Sequence, residues 1–195
     1  ELMIDNQYIM SPKDLKTLDF LDKVLDAGVR VLKIEGRGRS PEYVKVVTRV
    51  YRQAVDAWQK GEWSKEKLNE WNKELSTVYN RGFWDGYYLG RKMGEWSEGY
   101  GSRATTKKTF VGTITNYFKN IGVAEIKIES GSLKLNDRIY IMGTTTGVYE
   151  DTIEEIRVDL KKTDKAVKGE FCSIPTKSLV RRSDKVYIVE DVLAE

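Results

Sequence analysis

The hydrophobic period of this chain changes once, near Thr105, and that change dictates two architectures in one polypeptide. Before it, apolar residues recur at helical spacing. Leu15, Leu18, Leu21, Val24 and Leu25 form one such set; Val44, Val47, Val50, Tyr51, Ala54 and Trp58 form a second; Leu68, Trp71, Leu75 and Val78 form a third. After it come short runs with period two, such as Val123-Ala124-Glu125-Ile126-Lys127-Ile128-Glu129, separated by turn signals at Gly131 and Asn136-Asp137. Regular strands and turns without helices predict a small antiparallel β-barrel or sandwich from Thr105 onward.

The first half has its own punctuation. Tyr8-Ile9-Met10 reads as a buried strand, Ser11-Pro12 as a helix start and Gly28 as the helix stop. Val29 to Glu35 reads as a second strand, with Val31, Lys33 and Glu35 on one face and Leu32 and Ile34 on the other. The loop Gly36-Arg37-Gly38-Arg39 follows, and Ser40-Pro41 caps a helix that runs to about Lys60. Ser64 caps a third helix, with Trp63 placed to staple onto Leu68. Strand–helix–strand is the unit of a parallel sheet. Ile34-Glu35-Gly36-Arg37 matches a cleavage linker used in expression work, but it lies inside a strand-like run and is read as native. Tyr79 to Gly90 is rich in aromatics and glycine, which either pack a turn onto a neighbouring domain or stack bases. Glu95 to Ala104 reads as a linker.

Composition excludes several chemistries. The 195 residues contain one cysteine, Cys172, and no histidine. An internal disulfide, a multi-cysteine metal site, a His-ligated zinc and a histidine triad are all ruled out within this sequence. With 33 Lys plus Arg against 30 Asp plus Glu, net charge alone does not argue for nucleic acid. No apolar run is long enough for a membrane helix, and the start does not look like a signal peptide. A soluble, cytoplasmic protein is expected. The missing initiator Met suggests a fragment of a longer chain.

A strand ending in charge, a glycine loop and a helix N-terminus make an anion site in principle, with Gly36, Arg37, Gly38 and Arg39 as candidates. Glu35 is a candidate general base and Lys33 a second candidate catalytic group, or Glu35 is simply the ion-pair partner of Arg37 or Lys33. No nucleophile with an adjacent base is visible. In the second half, Lys107, Lys108, Lys119, Arg181 and Arg182 are candidate nucleic-acid contacts, or an ordinary solvated surface.

Several segments together resemble the later part of the collagenase-like peptidase family U32. They are Tyr8-Ile9-Met10-Ser11-Pro12-Lys13-Asp14-Leu15, Leu32-Lys33-Ile34-Glu35-Gly36-Arg37, Ser40-Pro41-Glu42-Tyr43-Val44, Tyr51-Arg52, and Arg81-Gly82-Phe83 through Gly86-Tyr87 to Leu89-Gly90. The resemblance implies a (βα)8 barrel, with residues 8–35 as its last strands and Glu35 near its mouth. Gly112-Thr113-Ile114, Gly131 to Asp137, Gly143 to Gly147, Ile153 to Ile156 and Val180 to Tyr187 resemble the β-barrel that follows the nucleotide-binding domain in elongation factor Tu. The expected fold is therefore an α+β two-domain fragment. Residues 1–94 would be terminal βα units of a (βα)8 barrel plus helices, 95–104 a linker, and 105–195 a small antiparallel β-barrel. The implied function is the C-terminal portion of a collagenase-like peptidase, not catalytic alone. The alternatives are an RNA-modification protein of the tRNA uridine hydroxylation type whose barrel binds RNA, or a structural and interaction module. The resemblance places any iron–sulfur cluster in a preceding part of the protein and none here. It implies as partners that missing N-terminal segment or a second copy, tRNA or other RNA, and a peptide substrate, with no membrane.

Overall fold

The computed structural model describes residues 13–90 and 101–192. The strand expected at Tyr8–Met10, the cap at Ser11-Pro12 and much of the expected linker lie outside the described residues. The chain divides into two compact units, Glu1–Thr105 and Thr106–Glu195.

In the first unit, β1 (Asp14–Leu15) leads through a 3-10 turn at Leu18–Phe20 into α1 (Leu21–Asp26). The expected long helix is thus shorter and starts later, because Asp14 and Leu15 pair in parallel with β2 (Phe83–Trp84) instead. The long helix α2 (Pro41–Gln59) starts with Pro41 in its first turn, where a missing N–H costs nothing. It buries Val46, Val47, Val50, Ala54 and Ala57, a stripe at 3.6-residue spacing. The third helix, α3 (Lys65–Ser76), is capped by Ser64, whose Oγ accepts from the Lys67 N–H at 3.2 Å. Trp71 and Leu75 of α3, Leu21 and Leu25 of α1, and the α2 stripe form one core. Each buried aliphatic side chain there contributes about 1.5–3 kcal/mol. Arg49 of α2 and Glu74 of α3 close the helix pair with a 2.6 Å ion pair.

One expectation fails in this unit. Val29 to Gly36 is not a strand of a sheet. It belongs to no helix or sheet, yet from Val31 to Glu35 it keeps the period-two burial, with Leu32 and Ile34 half-buried and Val31, Lys33 and Glu35 exposed. Among the described residues no neighbouring strand pairs with it. The reason is physical: a strand exists only by its ladder, and parallel neighbours must be brought from elsewhere in a chain. A closed (βα)8 barrel is absent among the described residues, so Glu35 has no barrel lumen to face.

The second unit is built on antiparallel ladders. Ten strands follow in order: β3 (Thr106–Phe118), β4 (Val123–Ile128), β5 (Ser132–Lys134), β6 (Arg138–Gly143), β7 (Gly147–Thr152), β8 (Ile156–Val158), β9 (Lys161–Thr163), β10 (Lys165–Val167), β11 (Phe171–Pro175) and β12 (Lys185–Asp191). Eight of them form one sheet in the order β7-β6-β12-β3-β4-β11-β8-β9, while β5 and β10 make a separate pair. Inward residues of alternating strands, among them Ile114, Ile126, Ile139, Ile141, Ile156 and Ile174, form its core. Asn136 sits at φ +67° and Gly131 at +61°, the left-handed turn positions that their residue types favour.

Candidate functional site

The first unit carries an open cleft of about 440 Å³ between the Val29–Glu35 segment, the loop before α2 and the β1 region. Its order comes from Asp14. Asp14 N–H donates to the Gly82 carbonyl at 2.8 Å, and its Oδ2 accepts from the Arg81 N–H at 2.8 Å. Its Oδ1 takes the Arg39 guanidinium. That guanidinium lies over the Tyr79 ring at 4.3 Å and the Tyr43 ring at 5.4 Å. Asp14, Arg39 with Tyr43, and Arg81 come from three separate stretches and meet at one point. Burial raises the Tyr43 phenol above its usual range and the Asp14 carboxylate adds to this, with Arg39 opposing. Burial likewise raises Tyr51, whose hydroxyl accepts from the Thr17 N–H at 3.2 Å. Both phenols are therefore neutral at neutral pH.

The other charged groups of the cleft divide between committed and exposed. Lys16 Nζ donates to Asn72 Oδ1 at 2.6 Å, pairs with Asp19 at 2.7 Å and lies 5.1 Å from the Phe83 ring centre. Lys33 and Glu35 stand exposed at the rim. Glu35 Oε1 accepts from the Arg37 backbone N–H at 2.9 Å, which fixes the turn. Arg37 and Gly38 are exposed. Gly36 is packed so closely on α2 that a Cβ there would come within 2.6 Å of Val44 Cγ2. Of the proposed anion loop, Arg39 is engaged by a carboxylate of its own chain, and Arg37 turns with Glu35. Sequence reasoning missed Asp14 and Tyr79 as partners of Arg39. The signal was present in the motif stretches around Asp14, Tyr43 and Arg81, which converge in space.

The cations singled out in the second unit are not gathered together. Lys107 and Lys108 open β3, whereas Lys119 follows its far end, roughly 36 Å along an extended strand. Lys107 lies opposite Glu190, and Lys108 Nζ sits 5.2 Å from the Tyr187 ring centre. Arg181 Nη1 donates to Thr146 Oγ1 at 3.2 Å, and Arg182 is exposed. Cys172 is a core residue with 1% exposure, and burial, helped by Glu170, pushes its thiol up to about 12. It is protonated and inert near neutrality. A thiol reagent at pH 8 should label Cys172 only after denaturation; rapid labelling of the native chain, read by intact mass, would contradict this placement. Among the described residues no group of three His, Cys, Asp or Glu side chains is arranged to hold a metal ion.

The model of peptidase family U32 matches residues 1–98. The chain belongs to peptidase family U32. A collagenase of Porphyromonas gingivalis is 56% identical to this U32 chain over 187 residues, covering 96% of the chain and 52% of that protein. An uncharacterized protease of Methanocaldococcus jannaschii is 32% identical over 196 residues, covering 99% of the chain and 47% of that protein. The tRNA hydroxylation protein P1 of Bacillus subtilis is 32% identical over 155 residues, covering 78% of the chain and 36% of that protein. The U32 chain thus spans about half the length of the curated relatives it matches.

Proposed function

We propose that this chain is the C-terminal portion of a U32 collagenase-like peptidase, and that it completes and supports the peptide-processing domain without supplying its nucleophile. One observation carries the reading: Val29 to Glu35 belongs to no helix and has no ladder partner among the described residues, while from Val31 to Glu35 its burial alternates as a strand's would. Unpaired backbone of this kind is a template for strand addition. Exposed apolar side chains line the same cleft, including Val31 of the segment itself at 84% exposure, Leu15 and Tyr88. Patches of this kind mark interaction surfaces. The remaining half of the relatives' length is the occupant proposed here, with strands closing a (βα)8 barrel against Val29–Glu35. In that barrel Glu35 and Lys33 would stand at the mouth, where the substrate peptide is handled.

A cysteine-ligated iron–sulfur cluster does not fit this chain, whose single cysteine is the buried Cys172. RNA modification is the alternative that the tRNA hydroxylation relative brings, but dispersal of Lys107, Lys108, Lys119, Arg181 and Arg182 gives it less support at those residues.

Limited digestion with a Lys/Arg-specific protease tests the proposal. This chain alone should be cut first after Arg30, Lys33 or Arg37, because exposed backbone held in no helix or ladder enters a protease cleft without unfolding. The longer natural protein should resist at the same bonds and hydrolyse denatured collagen, while this chain alone should not. Equal cleavage of both forms, or gelatin hydrolysis by this chain alone, would overturn the reading.

A further inference from the structure

Alternation in the central strands of the second unit leaves an outer face. Ile141 of β6, Val186 of β12, Ile114 of β3, Ile126 and Ile128 of β4, and Cys172 of β11 are buried in the core. Their chain neighbours Met142, Lys185, Thr113, Lys127 and Phe171 therefore stand on the opposite side of the sheet. Register puts these five in one line. Lys185 is the direct partner of Met142 on one side and of Thr113 on the other; Thr113 is the partner of Lys127, and Lys127 of Phe171. The line crosses neighbouring strands of a single sheet, in the order β6-β12-β3-β4-β11. Beside it runs a line of rings. Tyr187 is the direct partner of both Tyr140 and Phe110, and its ring meets that of Phe110 edge-on at 5.7 Å.

Two cations of the first line are held near rings. Lys185 Nζ lies 5.5 Å from the Phe110 ring centre and donates to Thr113 Oγ1 at 3.4 Å. Lys127 Nζ lies 6.0 Å from the ring centre of Phe171, which is half exposed. Among the described residues no carboxylate pairs with either lysine. Glu125, two residues before Lys127 on the same face, takes the Thr115 hydroxyl at 2.6 Å. Glu129 is exposed just past the end of β4, and Glu150 borders the ring line opposite Tyr140.

Spacing selects a ligand for this face. Lys185 and Lys127 are two strands apart, about 9.6 Å. A polyproline II helix brings every third side chain back to the same side after about 9.3 Å. A β-extended peptide repeats at about 6.7 Å and misses the second cation. Aromatic surfaces dock proline rings, and a proline-rich chain holds its shape before binding, so little order has to be imposed. We infer that the outer face of this sheet is a docking site for a proline-rich peptide in the polyproline II conformation with a carboxylate at every third residue. The carboxylates meet Lys185 and Lys127, and the prolines between them lie on Phe110 and Phe171. The site lies in the second unit and does not depend on the peptidase reading; peptide binding and gelatin hydrolysis are measured separately and fail separately.

The test uses the full chain and a fluorescent peptide of repeated Pro-Pro-Glu, about twelve residues or four turns long, read by anisotropy. It should bind with a Kd below about 1 mM, more weakly as salt is raised. A peptide of the same composition with the Glu positions scrambled should bind at least about fivefold more weakly, and repeated Pro-Pro-Lys should not bind. The Lys127→Ala, Lys185→Ala double variant should weaken binding about tenfold, and Phe171→Ala between about threefold and tenfold. Lys165→Ala, on the separate β5–β10 pair, should change nothing. The three altered side chains are exposed, so these variants should keep the melting midpoint of the unaltered chain in far-UV circular dichroism. The charge-reversed pair Lys127→Glu, Lys185→Glu should lose the Pro-Pro-Glu peptide and take up Pro-Pro-Lys, which a change of fold would not produce. Failure of the unaltered chain to bind, equal affinity for the scrambled peptide, or unchanged binding in the double alanine variant would overturn the inference. Tighter binding of a polyuronate, with the same dependence on Lys127 and Lys185, would overturn the assignment to a peptide.

Discussion

Gly112→Ala should unfold the second unit at a urea concentration well below that of the unaltered chain, a loss of about 3 kcal/mol or more. Gly112 lies in β3 between two ladders, opposite Ile128 of β4 and Val186 of β12. A Cβ there would come within 2.1 Å of the Lys127 carbonyl oxygen. The obstacle is backbone, and it cannot move aside without breaking the β4 ladder. Register shifts beside it, between Val186 and Tyr187 and between Ile114 and Asn116, show where the long strand already bends. Gly147→Ala is the matched control. Gly147 sits at φ +70° with nothing within 4 Å of the new methyl, so only backbone strain of about 1 kcal/mol is expected. All five tryptophans precede Thr105. Far-UV circular dichroism should therefore report the loss, while tryptophan emission keeps its own transition. Equal midpoints for Gly112→Ala and Gly147→Ala would show that the β3–β4 approach is not as close as described.

Why the second unit was legible and the first only partly so follows from where the partners lie. In Val123 to Ile128 the alternation of apolar and charged residues specifies a face, and the partner strands β3 and β11 lie within the same stretch of chain. Pattern and ladder therefore agree. Short elements escaped because they carry too few residues to show a period: Lys161–Thr163 and Lys165–Val167 have three each. The run from Thr152 to Val158 is divided between β7 and β8, since Ile153 turns inward and exchanges backbone bonds with Asn136 and Asp137. In the first unit, helices needed only their own 3.6-residue stripe, and α2 and α3 were visible on that ground. Val29 to Glu35 shows the opposite case. Its two faces were read as the structure has them, yet a sheet needs neighbours that local sequence does not contain. The site was harder still. Arg39 looked like a free anion-binding group because its carboxylate partner, Asp14, is 25 residues away.

That contact defines the second large effect. Arg39→Ala should destabilise the first unit by about 2–3 kcal/mol, seen as an earlier transition in tryptophan emission with the second unit's circular dichroism little changed. The Arg39 side chain is only 16% exposed and that of Asp14 20%. Removing the cation leaves a largely buried carboxylate whose other oxygen still holds the Arg81 N–H, so the cost is that of an uncompensated charge rather than of one bond. The two ring contacts to Tyr43 and Tyr79 are lost with it. Arg39→Lys should recover less than half of the loss, because an ammonium cannot lie flat between two rings and meet a carboxylate at once. Asp14→Asn, which keeps the shape and removes the charge, should couple strongly to Arg39→Ala in a double-mutant cycle, with the pair costing less than the sum. These outcomes separate a clamp from a ligand site. A group held for an external anion should lose binding or turnover on substitution while the unfolding transition stays in place. A group that holds β1, the loop before α2 and the Arg81 turn together should move the transition first, and any loss of activity in the longer protein should follow it. Arg39→Ala with an unchanged transition and abolished peptide processing would reverse the assignment and return Arg39 to the anion loop.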